Sequence, residues 1–175
     1  MLIGGAIMEI TANAIQTIAQ RQNVIFTDTV VPGNPAIMHR PGSGLVKLRG
    51  LTSCQCRARF KVFFNGNIAV PTAGTAGEIS LAITLDDEPI GSATMISTPG
   101  DKNEFNNVSA SIYIDVPAGC CSTVGVRNTS TQTISVQNAN LIVERVASYG
   151  KIKTNERTAD FYSSRTIRKS SRCRC

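Results

Sequence analysis

Tryptophan is absent from this sequence, histidine occurs once, and six phenylalanines and three tyrosines supply every aromatic ring. With a single histidine, any imidazole-based acid–base pair or nucleophilic triad must pass through His39. His39 precedes Arg40-Pro41-Gly42, a loop signature, and is expected on a loop surface with no role. No apolar run approaches the roughly 20 residues that a membrane-spanning helix needs. The longest, Met1–Met8, has no basic leader and no cleavage site, so neither a membrane partner nor a secretory signal is expected. Zinc-type C-x2-C spacing is also missing. The six cysteines fall in close pairs, Cys54/Cys56, Cys120/Cys121 and Cys173/Cys175, and neither C-x-C nor C-C lets both thiolates face one ion in the usual way. A chain of 175 residues can bury a core without disulfides. Free thiols are therefore expected, with no metal, no cofactor and no catalytic residue.

The residues that are plentiful are Val, Ile, Thr, Ser, Asn and Gly, the composition of short strands joined by tight turns. Residues 9–23 are ambiguous: Ile10, Ala14, Ile15 and Ile18 have roughly helical spacing, but the Thr/Ile/Asn content suits an extended arm equally well. From Asn23 the hydrophobic period is two. Asn23–Val31 reads as a strand closed by Pro32-Gly33-Asn34-Pro35, and Gly44–Leu51 as another, with Leu45 and Leu48 as its apolar positions. Ala58, Phe60, Val62 and Phe64 alternate with Arg57, Arg59, Lys61 and Phe63. Asn65-Gly66 then gives the strongest short turn signal in the chain. Residues 71–78 read as a loop. Ile79, Leu81, Ile83 and Leu85 alternate up to Asp86-Asp87-Glu88-Pro89, and Ala110, Ile112, Ile114 and Val116 alternate up to Pro117-Ala118-Gly119. With Cys121–Arg127, Thr133–Val136 and Asn140–Val146 this gives about eight to ten short strands and no long helix, which predicts an all-β antiparallel sandwich or jelly roll.

Charge divides the chain. Residues 1–145 carry ten acidic and ten basic side chains, so the net charge of +6 belongs entirely to residues 146–175. There Lys151, Lys153, Arg157, Arg165, Arg168, Lys169, Arg172 and Arg174 face only Glu156 and Asp160. The expected organisation is an N-terminal arm over 1–22, the sandwich over 23–147 and a basic extension over 148–175. Alone, such an extension buries too little apolar area to offset its chain entropy. A partner surface is the expected clamp, with Phe161, Tyr162 and Ile167 among the anchors.

Five phrases carry a resemblance. They are Gln22-Asn23-Val24-Ile25-Phe26-Thr27-Asp28-Thr29, His39-Arg40-Pro41-Gly42-Ser43-Gly44-Leu45-Val46-Lys47-Leu48-Arg49-Gly50, Phe64-Asn65-Gly66-Asn67-Ile68-Ala69-Val70-Pro71, Val116-Pro117-Ala118-Gly119-Cys120-Cys121 and Val136-Gln137-Asn138-Ala139-Asn140-Leu141. As a set, over about residues 15–147, they resemble a family of small virion proteins of tailed bacteriophages and prophages of gut-type bacteria, similar in layout to the tumour-necrosis-factor/C1q jelly roll. The resemblance implies a homotrimer on the virion surface, made in the host cytoplasm, as a capsid decoration or head-fibre protein. Its partners would be the major capsid protein or other virion proteins. The basic tail lies outside the matched region. Fold likeness alone does not give function.

The candidate contacts follow from charge. Arg57, Arg59 and Lys61 stand on one strand face, either as a solvated surface or against an acidic neighbour. The tail residues Lys151, Lys153, Arg157, Phe161, Tyr162, Arg165, Arg168, Lys169, Arg172 and Arg174 are expected to anchor the protein to an acidic shell. Nucleic acid is not the expected partner, because aromatics for base stacking are few and no recognised module is present. Cys173 and Cys175 are placed to lock the terminus in an oxidising exterior. Asp86-Asp87-Glu88 is expected as a solvated turn rather than a calcium site, and Gly74 and Gly77 as plain loop glycines. The expected function is non-enzymatic and structural. The alternative is a fibre-tip or surface module that binds host glycans or receptors.

Overall fold

The computed structural model describes residues 6–52 and 55–149. Eleven strands run through them, with no helix. In chain order they are β1 (Ile7–Ala12), β2 (Gln16–Ile18), β3 (Asp28–Val31), β4 (Ile37–His39), β5 (Leu45–Arg49), β6 (Arg57–Ala69), β7 (Ile79–Leu85), β8 (Glu88–Ser97), β9 (Asn106–Pro117), β10 (Cys121–Asn128) and β11 (Ile134–Tyr149). Two antiparallel sheets result. One has the order β3-β1-β11-β6-β9, with β2 also on β11, and the other β4-β5-β10-β7-β8. The chain passes back and forth between the sheets, as in a jelly roll, so the all-β expectation holds.

The period-two pattern explains why the sheets close on each other. Ala58, Phe60, Val62 and Phe64 of β6, Leu141 and Val143 of β11, and Met8, Ile10 and Ala12 of β1 all point inward and are buried. Val46 and Leu48 of β5, Leu81 and Ile83 of β7, and Val124 and Val126 of β10 meet them from the other sheet. Each large side chain fully buried there contributes about 1.5–3 kcal/mol.

Several expectations change at this level. Residues 7–18 of the expected arm are extended, but as strands of the sandwich: β1 lies between β3 and β11, in register from Ile7↔Glu144 to Ala12↔Ala139. Ile10 and Ile18 are buried while Ala14, which would lie between them on a helical face, is exposed, which no amphipathic helix would give. Asn65-Gly66 is not a turn, because β6 continues through it in register with Asn140 on one side and Ser109 and Val108 on the other. Glycine is needed there for room: a Cβ at Gly66 would come within 2.9 Å of the buried Phe64 ring. In β5 the inward residues are Val46 and Leu48, and Leu45 faces outward over Gly125. His39 is not on a bare loop. It ends β4, its Nε2 lies 3.0 Å from the Ser43 carbonyl oxygen, and its ring stands edge-on to Phe26. Strand β11 runs two residues past the expected boundary, to Tyr149.

The sandwich has two distinct ends. The chain enters β1 and leaves β11 at the same end, where Gly50, Cys56, Arg57 and Pro117–Cys121 gather. The opposite end carries the connections around 70–78, 98–105 and 129–133, tied by Asn103 N–H to the Val70 carbonyl and by the Gln132 side chain to both backbone groups of Thr75.

Candidate functional site

The outward face of the six-stranded sheet is organised in cross-strand rows fixed by the register. At the end where the chain leaves, Pro117 and Arg57 stand side by side, and the backbone of Tyr149 pairs with Arg57 on its other side. The next row is Asp115, Arg59 and Ala147, and then Tyr113, Lys61, Glu144 and Ile7 across four strands. Beyond them come Ser111, Phe63, Ile142 and Glu9, followed by Ser109, Asn65, Asn140 and Thr11. The face therefore grades from cationic through mixed apolar and charged to amide-rich.

The sequence singles out Arg57, Arg59 and Lys61, and the structure supplies the acidic neighbour of the first two from the same chain. Arg59 Nε donates to Asp115 Oδ1 at 2.6 Å and its Nη2 donates to Oδ2 at 2.8 Å, a bidentate pair. Arg57 reaches Asp115 Oδ2 only at 3.5 Å, and more than half of its side chain is exposed. The Asp115 carboxyl is held below its ordinary value, chiefly by the hydrogen bond from Arg59, against the opposing effect of burial. Lys61 lies between Tyr113 and Glu144 in the register.

Sequence reading did not identify Tyr113, Glu144, Ile7 and Ile142 as neighbours of Lys61 and Phe63. Register across distant strands is invisible in a local pattern. Phe63, an apolar residue in an otherwise polar outward row, was the one available signal. Tyr113 is 60% exposed and Ile7 43%, so this face presents large apolar groups to solvent.

Next to this face an open cleft of about 420 Å³ is lined by Cys56, Arg57, Asp115 and Pro117. Cys56 is half-buried and Cys120 and Cys121 are exposed, and all three are free thiols. Gly50 holds this end together. Its N–H donates to the Cys120 carbonyl at 2.9 Å and its carbonyl accepts from Gly119 N–H at 3.0 Å. Cys54, Cys173 and Cys175 lie outside the described residues, as do Lys151, Lys153, Arg157, Phe161, Tyr162, Arg165, Arg168, Lys169, Arg172 and Arg174.

Two of the three carboxylates in the acidic cluster are engaged within the fold. Asp86 and Asp87 are the two central residues of the β7–β8 hairpin, with φ of 48° and 75°, the geometry of a type I′ turn. Asp86 Oδ1 accepts from Thr123 N–H at 2.7 Å, and the Asp87 carboxylate pairs with Arg127. Arg127 also donates to the Asp87 carbonyl and to Asn23 Oδ1. Among the described residues no three His, Cys, Asp or Glu side chains gather as metal ligands.

At the other end of the face, Asn65, Asn67 and Asn107 share hydrogen bonds of 3.1–3.3 Å. Asn140 Nδ2 donates to Glu9 Oε1 at 2.6 Å, and its Oδ1 is buried without a partner among the described residues.

No protein-family model matches this chain, and no curated protein matches its sequence. Solved structures do match. The Eiger TNF of S. frugiperda is similar at a TM-score of 0.60 and 12% identity, over 87% of this chain and 98% of that one. The globular domain of zebrafish complement 1qA protein gives 0.55 and 13%, over 82% and 98%. Murine APRIL at pH 5.0 gives 0.54 and 9%, over 81% and 99%. At such identities the likeness is one of fold: the chain is a jelly-roll sandwich of the TNF/C1q type.

Proposed function

We propose that this TNF/C1q-type sandwich is a non-enzymatic structural module of a bacteriophage virion, a homotrimer on the capsid or head surface held there by its basic tail. The observation that carries the assembly is the four-strand row Ile7, Glu144, Lys61 and Tyr113, with Phe63 and Ile142 beside it. Exposed aliphatic and aromatic groups bordered by both signs of charge are what a protein–protein contact uses, an apolar centre with a polar rim. A closed threefold assembly would bury that face on every copy and suit the symmetry of an icosahedral shell. The virion setting is supported by the five sequence phrases quoted above. The anchor is supported by the charge division, with eight cations following a body whose charges balance.

Light scattering on the full chain and on a chain ending at Tyr149 tests the assembly. A trimer mass for both supports a self-assembling body with a tail available for docking. A monomer on truncation would make the tail an intersubunit strap and overturn the anchor reading. In the full chain, Tyr113→Glu is expected to give folded monomers. Co-sedimentation with shells of the encoding phage tests the anchor, since shell binding by the truncated chain would refute it.

A further inference from the structure

We propose that the cleft between Arg57 and Pro117 is a binding site for a single carboxylate, carried by an acidic side chain of a peptide partner. The Arg57–Pro117 row lies two cross-strand rows from Tyr113, Lys61 and Glu144, so this assignment stands apart from the assembly and virion readings.

The register builds the site from the ends of two strands. Cys56 immediately precedes β6 and Arg57 opens it, while Asp115 and Pro117 close β9 on the other side. Arg57 stands opposite Pro117, and Arg59 opposite Asp115. Ala118 N–H donates to the Cys56 carbonyl at 2.9 Å, which fixes the backbone on which the cleft is built.

Charge in the cleft does not cancel. Both Asp115 oxygens accept from Arg59, at 2.6 and 2.8 Å, so the bidentate place on that carboxylate is already taken. Arg57 Nη1 donates to Asp115 Oδ2 only at 3.5 Å, its one ionic contact among the described residues. One carboxylate between two guanidinium groups leaves one positive charge, and it falls to Arg57. That side chain is 55% exposed and lines the cleft. A guanidinium carries five N–H donors in a planar fork, so Arg57 keeps donors for an acceptor from outside.

A carboxylate matches the fork and brings one negative charge, which balances the cleft. A phosphate monoester brings nearly two and would leave an excess of negative charge beside Asp115. Pro117 supplies an apolar wall for the methylene groups of an acidic side chain. Free small ligands are held in sites that bury most of their surface. This cleft, about 420 Å³ in volume, is open instead. It therefore suits a side chain whose backbone belongs to a larger partner.

The test uses the full chain and a blocked glycine pentapeptide with glutamate at its centre. The readout is the rate of Cys56 alkylation by iodoacetamide, located by peptide mapping, with and without millimolar peptide at low salt. The glutamate peptide is expected to slow alkylation severalfold, and the same peptide with glutamine to leave it unchanged. Arg57→Gln should abolish the protection and Arg57→Lys, which keeps the charge without the fork, should weaken it. Asp115→Asn removes the competing carboxylate and should strengthen it. No protection by the glutamate peptide, equal protection by the glutamine peptide, or undiminished protection in Arg57→Gln would overturn the proposal. Stronger protection by a phosphoserine peptide would overturn the carboxylate assignment, and equal protection by acetate would overturn the peptide one.

Discussion

Asp115 on β9 and Arg59 on β6 face each other in the antiparallel register and are joined by two parallel hydrogen bonds of 2.6 and 2.8 Å. This pair ties an edge strand of the six-stranded sheet to its inner neighbour, at the place where the outward face turns from cationic to mixed.

The pair makes stability depend on acid. Because the folded Asp115 carboxyl titrates below its ordinary value of 3.8, its contribution is present above that value and is lost as pH falls through the folded one. Both side chains are partly exposed, so solvent keeps the effect at the level of a surface pair. Asp115→Asn is expected to cost about 0.5–1 kcal/mol at neutral pH and nothing in strong acid. Urea unfolding of both chains across that range measures the convergence.

Thr84 is fully buried on β7, and its hydroxyl has no hydrogen-bond partner among the described residues. It faces Gly125 across the register of β7 and β10. Thr84→Val keeps the shape and removes the unpaired polar group, so a gain of about 1 kcal/mol is expected. A higher denaturant midpoint at unchanged slope is the sign to look for.

Gly50 has no room for a side chain. A Cβ there would collide with the Pro117 carbonyl oxygen and come within 2.8 Å of its carbon. The obstacle is backbone, which cannot rotate away, so Gly50→Ala is expected to destabilise the chain by about 1–3 kcal/mol. Faster alkylation of Cys120 in the variant would locate the damage at the thiol end.

Arg127 joins the β7–β8 hairpin to Asn23 through a forked set of bonds. Lysine keeps the charge but not the fork. Arg127→Lys is therefore expected to lose about 1–2 kcal/mol, most of the effect of Arg127→Ala, which comparison of the two variants by thermal unfolding checks.

The alternation along β6, β7 and β9 was legible because each strand has one face in the core, and burial imposes a period of two. Strand β1 was not, because its place depends on Glu9 and Ile10 meeting Ile142 and Leu141, more than 130 residues away in sequence. Asn65-Gly66 misled for a related reason. A local turn preference of this size gives way when the same residues complete a long ladder on both sides, and Gly66 makes space for Phe64 rather than bending the chain. The cationic row was visible, but its partner Asp115 was not, since pairing across strands is set by register. Tyr113 went unnoticed among alternating residues because nothing local distinguishes an exposed tyrosine on a free face from one on a contact.

Because β1 and β11 are antiparallel neighbours, Ala6 and Tyr149 both belong to one end of the sandwich, and the 71–78 connection belongs to the other. The fold is thus suited to circular permutation. A linker joining Ala6 to Tyr149, with new ends opened inside 71–78, would leave every ladder of both sheets unbroken. Such a permutant would project fused cargo from the end opposite the thiols.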